Sequence, residues 1–129
     1  MNITITDALL NGTVTNEIHI HFKTAVVTVE QIISERVRSE VEVYNKKLPE
    51  YFKGLVEPLD AEKTLNGYKV KKNQMIDVEK QIYVALNAFQ KNGFFVLIDT
   101  IQAEELNQQI HLKADTKISF LKLTQLVGG

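Results

Sequence analysis

The sequence predicts an α+β fold, with helices packed on a small mixed sheet. Three observations carry that prediction. Runs of alternating apolar residues flank an Asn-Gly pair near the start, two capped amphipathic stretches fill the middle, and strand-like runs return at the end. Strands and helices do not alternate as a parallel α/β sheet requires. At 129 residues, with 44% hydrophobic and 24% charged residues, the chain is long enough for one core. It is expected to form one domain over residues 1–129.

The hairpin comes first. Ile3 and Ile5 alternate with Asn2, Thr4 and Thr6, and Ile18, Ile20 and Phe22 alternate with His19 and His21. Asn11-Gly12 lies between, a strong hairpin signal because both residues tolerate positive φ. With Leu10 facing Thr13, Ile5 meets Ile18, Ile3 meets Ile20 and Leu9 meets Val14, so the apolar faces coincide. Asp7 then opposes Asn16 on that apolar face, which calls for a bulge or a longer loop.

A helix is expected from about Val29 to Asn45. Thr28 and Gln31 form a capping box, and Val29, Ile32, Ile33, Val37, Val41 and Tyr44 recur at helical spacing. From Lys46 to Ile76 the pattern is irregular and punctuated by Pro49, Gly54, Pro58 and Gly67, with a short helix expected over 60–65. Asp77 caps a second long helix over Val78–Asn92, with Val78, Ile82, Ala85, Leu86 and Phe89 as its stripe and Asn92-Gly93 as its end.

Phe94-Phe95-Val96-Leu97-Ile98 shows no alternation and reads as a strand covered on both faces. The second helix is expected to supply the other cover, or else to lie beside the first and widen its layer. Asp99-Thr100 turns the chain, Ile110-His111-Leu112 makes a brief edge piece, and a final strand runs from Thr116 to Leu123. The first and last strands are expected to be central neighbours.

Composition narrows the function classes. Fifteen basic residues against sixteen acidic ones give a formal charge of −1, which argues against nucleic acid as the main partner. The chain has no cysteine, so disulfides, thiolate metal sites and a cysteine nucleophile are excluded. No apolar run approaches ~18 residues, and the start lacks a basic stretch followed by an apolar core. A cytoplasmic protein without a membrane partner is expected. Phosphate loop, dinucleotide fingerprint and Ser-His-Asp patterns are absent, so enzyme activity is not expected.

Several residue groups admit two readings. His19 and His21 share a strand face, either as half of a metal site, with His111 the other histidine, or as a solvated face. No metal is expected. Lys69-Val70-Lys71-Lys72 reads as a solvated basic run rather than a phosphate site. Asp60, Glu62, Asp77 and Glu79 read as helix-start carboxylates placed by the macrodipole. Tyr44, Tyr51 and Phe52 form either a contact patch or part of the core.

The run that ends at Gly129 carries the sharpest functional signal. Gly128-Gly129 follows the strand run Ile118–Leu123 and the short tail Thr124-Gln125-Leu126-Val127. At ~7% average glycine content, such a pair arises by chance about once in 200 chains. Two residues without side chains make a thin strip of backbone that fits a narrow enzyme channel. Residues 124–129 are expected to be a flexible tail.

Hairpin, capped helix, short strands and Gly-Gly together resemble the ubiquitin-like β-grasp family, whose prokaryotic members include the sulfur carriers of thiamine and molybdopterin synthesis. The closest likeness is in Val96-Leu97-Ile98-Asp99, Leu106, Ile110, Asp115–Leu121 and Val127-Gly128-Gly129. The resemblance covers roughly 1–45 and 94–129 and implies a β-grasp sheet with one packed helix. Residues of about 46–93 then form an insertion with a second helix. Leu126 and Val127 stand where ubiquitin has an arginine before its glycines, and Thr124-Gln125 replaces the prolines of many sulfur carriers. These departures point to a specialised bacterial system with its own activating enzyme.

The resemblance implies a substrate and carrier rather than a catalyst. An adenylating enzyme would activate the Gly129 carboxylate with ATP, and a cysteine of that enzyme or a sulfur donor would attack the acyl adenylate. Gly128 and Gly129 would carry the chemistry, and Leu126 and Val127 would guide the tail. The partners implied are the activating enzyme and either a target protein or a sulfur-accepting enzyme. Three outcomes stay open: conjugation to a target, a thiocarboxylate sulfur carrier, or a non-covalent interaction module whose tail is idle.

Overall fold

A computed structural model describes residues 1–59, 61–70 and 74–123. Strands β1 (Asn2–Leu9) and β2 (Val14–His21) form the first hairpin, with Ile3 opposite Ile20 and Ile5 opposite Ile18 as the alternation requires. Asp7 pairs with Asn16, but Ala8 pairs with Val14, so Thr15 is the extra residue of a bulge. Leu9 therefore does not meet Val14. It closes the turn instead: Gly12 N donates to Leu9 O at 2.9 Å, and Leu9 N donates to Thr13 O at 2.9 Å. Only Gly12 takes positive φ, at 90°, so the loop has three residues rather than the two-residue form the Asn-Gly pair suggested.

After β3 (Val26–Thr28), helix α1 runs over Val29–Lys47, two residues past the expected end. The capping box is present, with Gln31 N donating to Thr28 Oγ1 at 3.1 Å and Thr28 N to Gln31 Oε1 at 2.8 Å. Leu48, at φ 43°, ends the helix and donates its N–H to Tyr44 O. The expected apolar stripe is buried, but Arg36 is buried with it.

The segment after α1 departs from expectation. A hairpin of β4 (Glu62–Thr64) and β5 (Gly67–Lys69) replaces the short helix over 60–65, and Glu62 lies in a strand rather than at a helix start. Asn66-Gly67 is the turn signal that makes this stretch a hairpin. Gly67 sits at φ 129°, and a Cβ there would stand 2.8 Å from Phe52 O. Phe52 and Tyr68 exchange backbone hydrogen bonds at 2.7 and 2.8 Å, which ties the hairpin to the preceding segment. Asn45 fixes the far end by donating to Ile76 O and accepting from Ile76 N.

Helix α2 (Val78–Gln90) starts at Asp77, whose Oδ1 accepts from Lys80 N at 3.1 Å. It stops two residues short of the expected Asn92 because Asn92 turns left-handed, at φ 61°. The remaining strands are β6 (Phe94–Ile98), β7 (Ile101–Gln102), β8 (Gln109–His111) and β9 (Ile118–Lys122). Asp99 and Thr100, both at positive φ, make the tight turn between β6 and β7.

The main sheet has the order β2-β1-β9-β6-β7. Strand β9 runs parallel to β1 and antiparallel to β6, so the first and last long strands are neighbours inside a mixed sheet. The piece over 110–112 belongs elsewhere: β8 pairs with β3 in a separate two-stranded sheet. The molecule is an α+β structure, as expected.

One sheet face carries the core. Ile3, Ile5, Phe94, Val96, Ile118 and Phe120 are buried under α1 and α2, each contributing about 1.5–3 kcal/mol. Phe89 of α2 packs on Phe94 at 6.0 Å between ring centroids, and Phe94 packs on Phe120 at 5.7 Å. The second helix thus lies beside the first and widens the same layer. Phe95, Leu97 and Leu121 face the other side and are only half-buried, so among the described residues β6 is covered on one face.

Candidate functional site

A buried charged seam runs between the central strands and α1. Asp7 points into the core from β1 where the bulge bends the pairing, and Arg36 meets it from α1. The Arg36 side chain is 1% exposed and that of Asp7 is 3% exposed. Both carboxylate oxygens of Asp7 accept from Arg36, Oδ1 from Nη1 and Oδ2 from Nη2 at 2.6 Å. Glu40, one turn along α1, accepts from Nη2 at 3.4 Å through Oε2 and from Leu55 N at 3.3 Å through Oε1. The guanidinium also lies over the Phe120 ring, 4.6 Å from its centroid.

Lys122, near the end of β9, completes the group by donating Nζ to Gly54 O at 3.1 Å. The close approach of the Gly54 segment depends on its lacking a side chain, because a Cβ there would run into the Phe52 ring. Burial pushes the Glu40 carboxyl above its ordinary range, against the pull of Arg36. Burial lowers the Lys122 ammonium, and the Arg36 charge adds to that while Asp7 and Glu40 oppose it. For Arg36, burial acts downward, but hydrogen bonds and charge from Asp7 and Glu40 prevail and raise its pKa.

The seam opens into a cleft of about 630 Å³ between the C-terminal ends of β1 and β9 and the β4–β5 hairpin. Beyond the seam residues, Lys53, Lys63, Asn66 and Tyr68 are among those that line it. Burial raises the Tyr68 phenol, with Glu57 and Glu40 adding to the effect. A larger cleft of about 860 Å³, by Phe89 and Glu104, has an exposed acidic rim and no buried charge. The first cleft is therefore where the fold concentrates desolvated charge, the usual setting of a functional site.

The residues expected to carry the chemistry, Gly128 and Gly129, and those expected to guide the tail, Leu126 and Val127, lie outside the described residues, as does the whole expected tail 124–129. Asp60, Lys71 and Lys72 do too. His19 and His21 lie on the outer sheet face, where His19 Nδ1 meets Thr4 Oγ1 at 3.1 Å and His21 Nδ1 meets Asn2 Oδ1 at 2.8 Å. His111 is in the other sheet and does not join them. Among the described residues no group of three or more His, Cys, Asp or Glu could hold a metal ion.

Tyr44 and Phe52 are core residues with rings edge-to-face at 5.5 Å, so they do not form a contact patch; Tyr51 is half-buried beside them in sequence. Asp77 caps α2, and Glu79 lies in its first turn. No helix of the described residues is long and apolar enough to cross a membrane.

Sequence reasoning missed the seam, although its signals were present. Asp7 fell on the apolar face of the first strand, and Arg36 and Glu40 fall at positions i and i+4 along the apolar stripe of α1. A carboxylate on a buried face requires a cation, and Arg36 is the one the helical period supplies. No family model matches the chain, and neither a curated protein nor a solved structure matches it.

Proposed function

We propose that the protein is a ubiquitin-like β-grasp protein activated at the Gly129 carboxylate and conjugated to a target. The observation that carries this reading is the strand order. A hairpin leads into a capped helix, and the last strand lies parallel beside the first inside a mixed sheet. That arrangement is the one the resemblance to the β-grasp family implies. The hairpin β4–β5 and helix α2 are then an insertion that widens the helical layer without entering the sheet.

On this reading an adenylating enzyme grips the folded domain and takes residues 124–129 into its channel. Attack of the Gly129 carboxylate on the α-phosphate of ATP forms the acyl adenylate and releases pyrophosphate. A thiol then displaces AMP. Gly128 and Gly129 let the backbone pass through the channel, and Leu126 and Val127 provide its apolar grip. The protein catalyses nothing itself, and both its partners are proteins.

The test is pyrophosphate exchange into ATP by the adenylating enzyme made in the same cells. The full chain supports exchange, and the chain lacking Gly129 does not, with unchanged thermal unfolding. Equal exchange with both chains would remove this reading. The product then separates conjugation from sulfur transfer: an isopeptide link marks a modifier, and a thiocarboxylate marks a carrier.

A further inference from the structure

We propose that the cleft beside Lys122 binds a small oxyanion, the carboxylate or phosphate group of a polar solute. Among the described residues, Arg36, Lys53 and Lys122 line it against two carboxylates, Asp7 and Glu40. That local excess stands out in a chain of net charge −1. The two carboxylates are already engaged. Asp7 uses both oxygens on Arg36, and Glu40 uses its oxygens on Arg36 and the Leu55 N–H.

Donors, by contrast, are in surplus. Among the described residues Arg36 Nε is a buried donor without a hydrogen-bond partner, so the two carboxylates do not use up the guanidinium's donors. Lys122 has three N–H donors and directs one at Gly54 O. The lysine is half-buried, so a charge-assisted bond to it is less screened than one at the surface.

The volume of about 630 Å³ suits a small solute. The lining suits a polar one, since lysine, asparagine and tyrosine groups surround the opening. Lys122 makes the direct contact, and exposed Lys53 on the rim adds attraction. This inference stands apart from activation at Gly129, and its test uses neither ATP nor a partner enzyme.

The full chain is titrated with inorganic phosphate and, separately, with succinate, while amide resonances are followed. Saturable shifts are expected at Gly54, Leu55 and Gly67. Lys122→Gln weakens binding about tenfold or more, the loss expected when one charged hydrogen bond is removed. Lys53→Gln leaves the buried seam intact and weakens binding about two- to fivefold. Lys69→Gln, exposed and outside the cleft, leaves it unchanged. Saturation by phosphate alone assigns a phosphate ligand, by succinate alone a carboxylate, and by both a general oxyanion site. Non-saturating shifts with both anions overturn the proposal. So does a Lys53→Gln chain that binds as the parent does, a result that decides the matter even if Lys122→Gln fails to fold.

Discussion

Arg36 and Asp7 are both buried, and the guanidinium meets the carboxylate with two parallel hydrogen bonds across the interface between α1 and β1. The pair fixes how the helix sits on the sheet, because neither charge has another partner of equal geometry. Removing one partner leaves the other charge buried without compensation. Asp7→Ala should therefore cost about 3–5 kcal/mol in denaturant unfolding. Glu40→Gln should cost less, since Glu40 makes only the longer 3.4 Å contact with Arg36. A loss under about 1 kcal/mol for Asp7→Ala, typical of surface sites, would show the pair to be solvated.

Glu40 gives the fold a pH dependence of definite sign. Its folded pKa lies above the ordinary 4.5, so above that pH the folded state holds the proton more tightly than the unfolded chain. The contribution of Glu40 to stability is full below 4.5 and is lost as pH rises through the folded pKa. Glu40→Gln removes the titration. Urea unfolding at a series of pH values should show the parent losing ground to Glu40→Gln as pH rises from 4.5. A difference that stays flat or moves in the parent's favour would contradict the burial argument.

The insertion is part of the core rather than an appendage. Phe89 is 7% exposed and packs on Phe94, which packs in turn on Phe120 of the central strand. Phe89→Ala should cost about 3–5 kcal/mol by the same unfolding measurement. A loss near zero would make α2 peripheral.

Much of the fold was legible because it rests on periodicity. The pairing of Ile3 with Ile20 and Ile5 with Ile18 follows from alternation alone, and the Thr28–Gln31 capping box marks the start of α1 to the residue. The misreadings fell where the pattern was irregular or uniform. A short helix was expected over 60–65, yet Asn66-Gly67 makes that stretch a hairpin. The apolar run of β6 suggested two covered faces, but apolarity alone cannot tell a covered face from a half-exposed one, and both helices took the same side. The seam was half visible. Asp7 was out of place on its strand, but only the packing of α1 brings Arg36 and Glu40 to it, and only the pairing of β9 with β1 brings Lys122.

The central claim is that the Gly129 carboxylate is activated and transferred. Trypsin cuts after Lys122, so a conjugated target lysine would carry the branch Leu123-Thr124-Gln125-Leu126-Val127-Gly128-Gly129. The decisive measurement is mass spectrometry of tryptic peptides from cells that make the tagged chain. Lysines bearing that branch are predicted for the intact chain, and none for the chain lacking Gly129. A thio acid at Gly129 would keep activation and assign sulfur transfer instead. Recovery of residues 123–129 solely as the free acid, with no branch and no thio acid, would contradict the account.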